Sequence, residues 1–185
     1  GEDTIGSRKD IGELGVQHLN LTPRATLNPK VTQAIHQADM IVIGPGNIYC
    51  SLLPALIVPG MKDALQETQA TIVYNVNLMA KQEHCPNWEV KDFVKLFQTY
   101  LGEDTIDVSL YNTTPPSPDL LQKYSQDGTL VTNSHNQTQI GKTQLRGEDL
   151  LASEVFHNPN SKDPLIRTLI RHDSHKIAKA LYALL

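Results

Sequence analysis

Cysteine is scarce in this chain: Cys50 and Cys85 are the only two in 185 residues. Two cysteines build neither a disulfide framework nor a four-ligand metal centre, and they suit a reducing compartment. An excess of positive charge is lacking too. Lys and Arg number 16 against 20 Asp and Glu, a formal net charge of −4, which argues against a broadly basic nucleic-acid surface. Long apolar runs are also missing. The longest, Ser51 to Met61, is broken by Pro54, Pro59 and Gly60 and falls well short of the roughly 20 residues that span a bilayer, so no membrane span is expected. The chain opens on Gly1 without a basic or apolar leader, which reads as a piece of a longer protein. The Asn-x-Thr triplets at Asn20, Asn112 and Asn136 are then chance matches.

With 39% hydrophobic and 19% charged residues, eleven glycines and eleven prolines, the composition is that of an ordinary globular chain, neither disordered nor fibrous. Its length suits one compact domain. Asn28-Pro29 is a cap followed by the residue favoured at the first helical position, and Val31, Ala34, Ile35 and Ala38 then recur with helical period. Met40 to Ile43 is an unbroken apolar run ending at Gly44, which predicts a strand covered on both faces. Two short helical pieces follow between Leu52 and Gln69, then a strand over 71–77, a helix from Val90 to Leu101 stopped at Gly102, and a strand over 105–111. This alternation predicts an α/β fold with a mainly parallel sheet and flanking helices. Residues 113–118 predict a loop and 119–126 a short helix. Strand candidates lie at 129–132 and 143–146, and a polar loop at 157–164. Asp173 caps a last helix carrying Ile177, Ala178, Leu181 and Leu185.

The segment Gly44-Pro45-Gly46-Asn47-Ile48-Tyr49-Cys50-Ser51 follows a predicted buried strand, where parallel α/β sheets bind ligands. Gly44 and Gly46 permit positive φ and close backbone approach. Ser51 can cap the next helix, whose free amides and positive dipole end favour a phosphate. The same residues also suit a plain tight turn. Asn75 and Asn77 end the next strand; Asn77 is expected at the ligand crevice and Asn75 against the neighbouring loop. Tyr49 suits either stacking on a base or sugar, or packing in the helix interface.

Ala38 to Gly60, read with Asn75-Val-Asn-Leu-Met79 and Arg171-His172-Asp173 before the last helix, closely resembles the gluconeogenesis-factor branch of the CofD-like, phospholactate-transferase-like family. The resemblance covers essentially the whole chain. It implies a Rossmann-like α/β fold and a cytoplasmic protein that binds a nucleotide sugar of the UDP-sugar type through Gly44, Pro45, Gly46, Asn47, Tyr49, Ser51 and Asn77, and that serves carbon partitioning, cell-envelope maintenance and cell shape. The alternative it implies is a transferase passing a phospholactyl group to a deazaflavin with a divalent cation. Two blocks depart from the pattern: Cys50 stands where the family has Thr, and Ala80 to Cys85 where it has Thr-Gln-Pro-Gly-Glu-Thr. The family's glycine-rich N-terminal half also has no counterpart, so residues 1–185 are expected to be the C-terminal part of a single domain. A sheet without those strands exposes an apolar edge and is expected to form a homo-oligomer.

Other motifs weigh less. Gly141-Lys142-Thr143 lacks the glycine that a P-loop needs at position 136, which is Asn136. His172, Asp173 and His175 fall short of a closed metal tetrad, and His84-Cys85 reads as a surface loop. Trp88, Phe93 and Phe97 read as core. With Cys50 and Cys85 on different loops, two free thiols are expected on unfolding the unreduced protein; thiol titration checks this, and a count near zero would reveal a bridge.

Overall fold

In a computed structural model, the structure describes Ile5, Arg8 and residues 10–16, 18–153 and 170–185; the loop expected at 157–164 lies outside them. A short helix α1 (Ile11–Leu14) is followed by α2 (Pro29–Gln37) and β1 (Met40–Ile43). Beyond a helical turn at Ile48–Leu52 come α3 (Leu53–Leu56), α4 (Met61–Glu67), β2 (Thr71–Asn75), β3 (Met79–Lys81) and α5 (Val90–Leu101). The chain continues through β4 (Val108–Asn112), α6 (Pro118–Lys123), β5 (Gly128–Leu130), β6 (Gln139–Ile140), β7 (Thr143–Glu148) and α7 (Ser174–Tyr182). The main sheet has the order β1-β2-β4-β7-β6. Its first four strands are parallel, and β6 alone runs antiparallel to β7. The α/β expectation holds, with helices on both faces.

Local chemistry explains several element ends. Asn28 accepts from the Lys30 amide at 2.9 Å to start α2. Asp173 accepts from the His175 and Lys176 amides to start α7, as expected. Ser117 caps α6 with Pro118 as its first residue, so the helix begins inside the proline-rich stretch expected to be loop. At the head of the sheet, the Asp107 carboxylate accepts from the Ile72 amide at 2.7 Å while the Asp107 amide donates to the Ile72 carbonyl, which fixes β4 one register step along β2.

Strand β2 alternates its side chains between two cores. Ile72 and Tyr74 face α5, whose Val90, Phe93, Val94, Phe97 and Leu101 are buried as the helical spacing predicts. Tyr74 and Phe97 meet edge to face at 4.5 Å. On the opposite face Val73, Val108 and Leu110 pack with Leu150 and Ala180, and α7 adds Ile177 and Leu181. Strand β1 departs from expectation. It is an edge strand, and α7 reaches Met40 but leaves Val42 44% exposed, so its second face is only half covered.

The sequence reading missed β3, which pairs antiparallel with β5. Gly128 makes that pairing possible, because a Cβ there would lie 2.1 Å from the Ala80 carbonyl oxygen. His172 sits behind α7's start, and burial pushes its imidazole down to about 4 from 6.5, opposed only by the Val76 backbone.

Gly128→Ala should cost about 1–3 kcal/mol by forcing β3 and β5 apart, read as a lower denaturant midpoint; an unchanged midpoint would refute the close approach. The neutral His172 contributes stability that is complete above about pH 6.5 and is lost as pH falls toward 4, because the unfolded chain binds the proton first. That loss amounts to at most about 3 kcal/mol. His172→Gln should flatten the fall in urea stability across this window, and an identical slope in both proteins would show that His172 is not its source.

Candidate functional site

The stretch between β1 and α3 leaves the sheet at the carboxyl end of the parallel strands and is organised by Asn47. Its Oδ1 accepts from the Tyr49 and Cys50 amides, both at 3.1 Å. Its carbonyl accepts from Ser51 at 2.9 Å and Leu52 at 3.1 Å, and the five-residue reach of the second bond widens Ile48–Leu52 into a π-type turn. One asparagine therefore satisfies four amides. Ser51 was expected to be the cap, but it is exposed inside this turn; the helical path starts four residues earlier than the sequence suggested. Four amides at this end, those of Tyr49, Cys50, Ser51 and Leu52, are therefore held by Asn47 and its carbonyl rather than offered to a phosphate.

The strand after the loop holds it in place. Asn77 Oδ1 accepts from the Gly46 amide at 3.3 Å, and Asn77 Nδ2 donates to the Gly46 carbonyl at 2.9 Å. Both ends of one side chain clasp one residue's backbone, which ties the β1 and β2 exits together. Asn75 was expected to bond the neighbouring loop, and Asn77 does so instead. Asn75 is instead 1% exposed, and its Oδ1 has no hydrogen-bond partner.

A third contact comes from a segment read as surface. His84 is 3% exposed and Cys85 5%, because the β3–α5 connection folds inward beneath the loop. The His84 Nδ1 lies 3.1 Å from Asn47 Nδ2, and its Nε2 lies 3.2 Å from the Ile5 carbonyl oxygen. An amide nitrogen can only donate and a carbonyl can only accept, so Nε2 carries the proton and Nδ1 is bare. Burial and the Lys81 charge hold the imidazole below its ordinary range. Tyr49 lies edge-on to the His84 ring at 6.2 Å and is buried in the core; burial pushes its phenol up to about 12. Of the two roles open to Tyr49, the structure shows packing. Cys85, also desolvated, is pushed up to about 11, and both cysteines are free of disulfides. Asn47 and His84 are 37 residues apart, and no spacing pattern marks such a pair.

Neither Gly44 nor Gly46 adopts positive φ, so the loop does not use glycine for left-handed backbone. A Cβ at Gly46 would press on Leu52 at 3.1 Å, whereas one at Gly44 would meet nothing within 4 Å. Pro45 is exposed beside this opening. Along the same carboxyl side, the exit of β4 forms a hollow of about 320 Å³ lined by Tyr111, Asn112, Thr114, Thr132, Asn133 and Asn136 among others. Its polar groups are amides, hydroxyls and a phenol, with no charge. Asn133 Nδ2 donates to the Tyr111 hydroxyl at 3.1 Å, and Asn112 Nδ2 to the Thr114 carbonyl at 2.6 Å.

A divalent cation does not fit these donors. Asn47, Asn77 and His84 are engaged with one another or with the backbone, no carboxylate joins them in that network, and hard cations need several oxygen ligands. Among the described residues, no three His, Cys, Asp or Glu side chains gather as a metal site. No single helix among them is long and apolar enough to cross a membrane.

Comparison with known proteins gives a consistent family. The chain is 31% identical over 182 residues to the "Putative gluconeogenesis factor" of Thermotoga maritima, covering 98% of this chain and 55% of that protein. It is 28% identical over 184 residues to the gluconeogenesis factor of Bacillus subtilis, again 98% and 55%. The chain thus spans about half the length of these relatives. Its fold matches the crystal structure of protein BH3568 from Bacillus halodurans with a TM-score of 0.78 at 24% identity, over 98% of this chain and 54% of that one. The profile of 2-phospho-L-lactate transferase CofD matches residues 1–151, and with that extent of agreement the chain belongs to the CofD family.

Proposed function

We propose that this chain supplies part of a nucleotide-sugar site of the UDP-sugar type, in a gluconeogenesis-factor-like protein that acts in carbon partitioning and cell-envelope maintenance. The observation that carries the reading is the clasped loop. Asn77 holds Gly46 by both backbone groups at the carboxyl end of adjacent parallel strands, and beside that fixed point Gly44 opens on space that no protein atom fills. Ligands of open α/β sheets sit in this position. The uncharged hollow at the exit of β4 offers amides and hydroxyls of the kind that bind a sugar or a base. The diphosphate would have to find most of its donors elsewhere, because the turn's own amides are occupied; this supports a site completed by the remainder of a longer single domain. The names of the relatives support the biological setting. Two disulfide-free cysteines suit a cytoplasmic location, and the unpaired outer edge of β1 among the described residues favours homo-oligomer formation. A transferase reading is less well supported, since the loop offers no cation ligands.

Gly44→Ala tests the loop in the whole protein. The added methyl meets nothing in the fold, so the denaturant midpoint should hold within about 0.5 kcal/mol. Affinity for a uridine diphosphate sugar, measured by calorimetry, should fall at least about tenfold. Unchanged binding would remove the loop from the site, and tighter binding would contradict the close approach directly.

A further inference from the structure

The loop's geometry depends on a proton. Asn47 caps the turn only if its side-chain oxygen faces the Tyr49 and Cys50 amides, which places its nitrogen toward His84. Rotating that amide by half a turn would set an NH2 group against two N–H donors. The bare Nδ1 of His84 holds the nitrogen end of that amide as the two backbone amides hold its oxygen end, and what keeps Nδ1 bare is the Ile5 carbonyl, which takes the ring's one proton at Nε2. We propose that His84 is the positioning residue of the Gly44–Ser51 loop: its unprotonated Nδ1 holds the Asn47 amide in its capping orientation, and protonation of the ring releases the cap. The proposal concerns the loop itself and does not depend on which ligand the loop takes.

Protonation would place an N–H at Nδ1 against the N–H of Asn47 at 3.1 Å. The two donors repel, and each loses a partner in a site only 3% exposed at His84, where an unmade hydrogen bond is costly. The ring has little to compensate its charge. From the end of β3 it faces Lys81, which disfavours the cation, and from the β3–α5 connection Glu83, which favours it; these two also pair with each other at 2.8 Å. From the N-terminal segment it faces the Ile5 carbonyl and the Arg8 backbone, both favouring the cation, while the Arg8 guanidinium is held by Asp10. From the loop it faces the neutral amide of Asn47 and the edge of Tyr49, whose phenol stays protonated. Cys85, adjacent in the chain, stays a thiol. Burial and Lys81 therefore keep the ring neutral near pH 7, and acid is what disturbs it.

The test is NMR of the whole protein labelled with nitrogen-15, titrated from about pH 8 to 5. The expected result is a bare Nδ1 at high pH, and Tyr49 and Cys50 amide signals that shift with the same midpoint as the His84 ring, below 6.5. His84→Gln retains an acceptor and a donor but cannot titrate, so both amides should stay near their high-pH positions with no step. Asn47→Asp keeps the capping oxygen and sets a carboxylate against Nδ1, which should raise the ring's midpoint by at least about one pH unit. Amides that stay flat while His84 titrates, a step that survives in His84→Gln, or a ring neutral until the protein unfolds would each overturn the proposal. Should the glutamine variant not fold, the aspartate variant decides: a raised midpoint supports the proposal and an unchanged one overturns it.

Discussion

A strand buried on both faces must pair along both edges, since each unpaired amide or carbonyl would be stranded away from water. Strand β2 is in that position: Ile72, Val73, Tyr74 and Asn75 are all buried. Its need for partners brings β1 to one edge and β4 to the other, both parallel. Parallel pairing requires a crossover for each return, so α4 lies between β1 and β2 and α5 between β2 and β4. The carboxyl ends of these three strands then emerge side by side, and from them hang the glycine loop, Asn77 and one wall of the hollow, while His84 and Asn133 come in from the segments after β3 and β5.

The site is held by two asparagines used in different ways. Asn77 gives both ends of its amide to Gly46, a match of donor to acceptor and acceptor to donor that only an amide side chain can make with a peptide group. Asn47 divides its amide between the turn it begins and the His84 ring. The loop is thus preorganised by neutral hydrogen bonds rather than by charge. This explains why it offers no cation site, and why four of its helix-end amides are not free for an anion.

Much of the fold was legible because its signals are local. The spacing of Val90, Phe93, Val94, Phe97 and Leu101 marked α5, the apolar run of Met40 to Ile43 marked β1, and Asn28-Pro29 and Asp173 marked helix starts that the structure keeps. Strand β3 escaped notice because Met79-Ala80-Lys81 is three residues long and carries no alternation of its own. It becomes a strand only because the backbone of β5 reaches it where Gly128 has no side chain. The candidate site was legible as a place and not as an arrangement: the glycine loop and Asn77 do come together, while Ser51 points outward and Tyr49 is buried.

The sequence by itself determined the α/β class, the parallel strands and the family, because periodicity, caps and a long contiguous motif are properties of neighbouring residues. Only the tertiary structure decided that Asn77 rather than Asn75 clasps the loop, that Asn47 rather than Ser51 caps the turn, and that His84 lies beneath both. The cap is a local contact, but the clasp and the His84 contact that set it in place join residues 31 and 37 positions apart. Their partners are backbone groups and neutral amides that every protein has in number, so no residue type announces them; the sheet selects them by bringing two strand ends within hydrogen-bond reach.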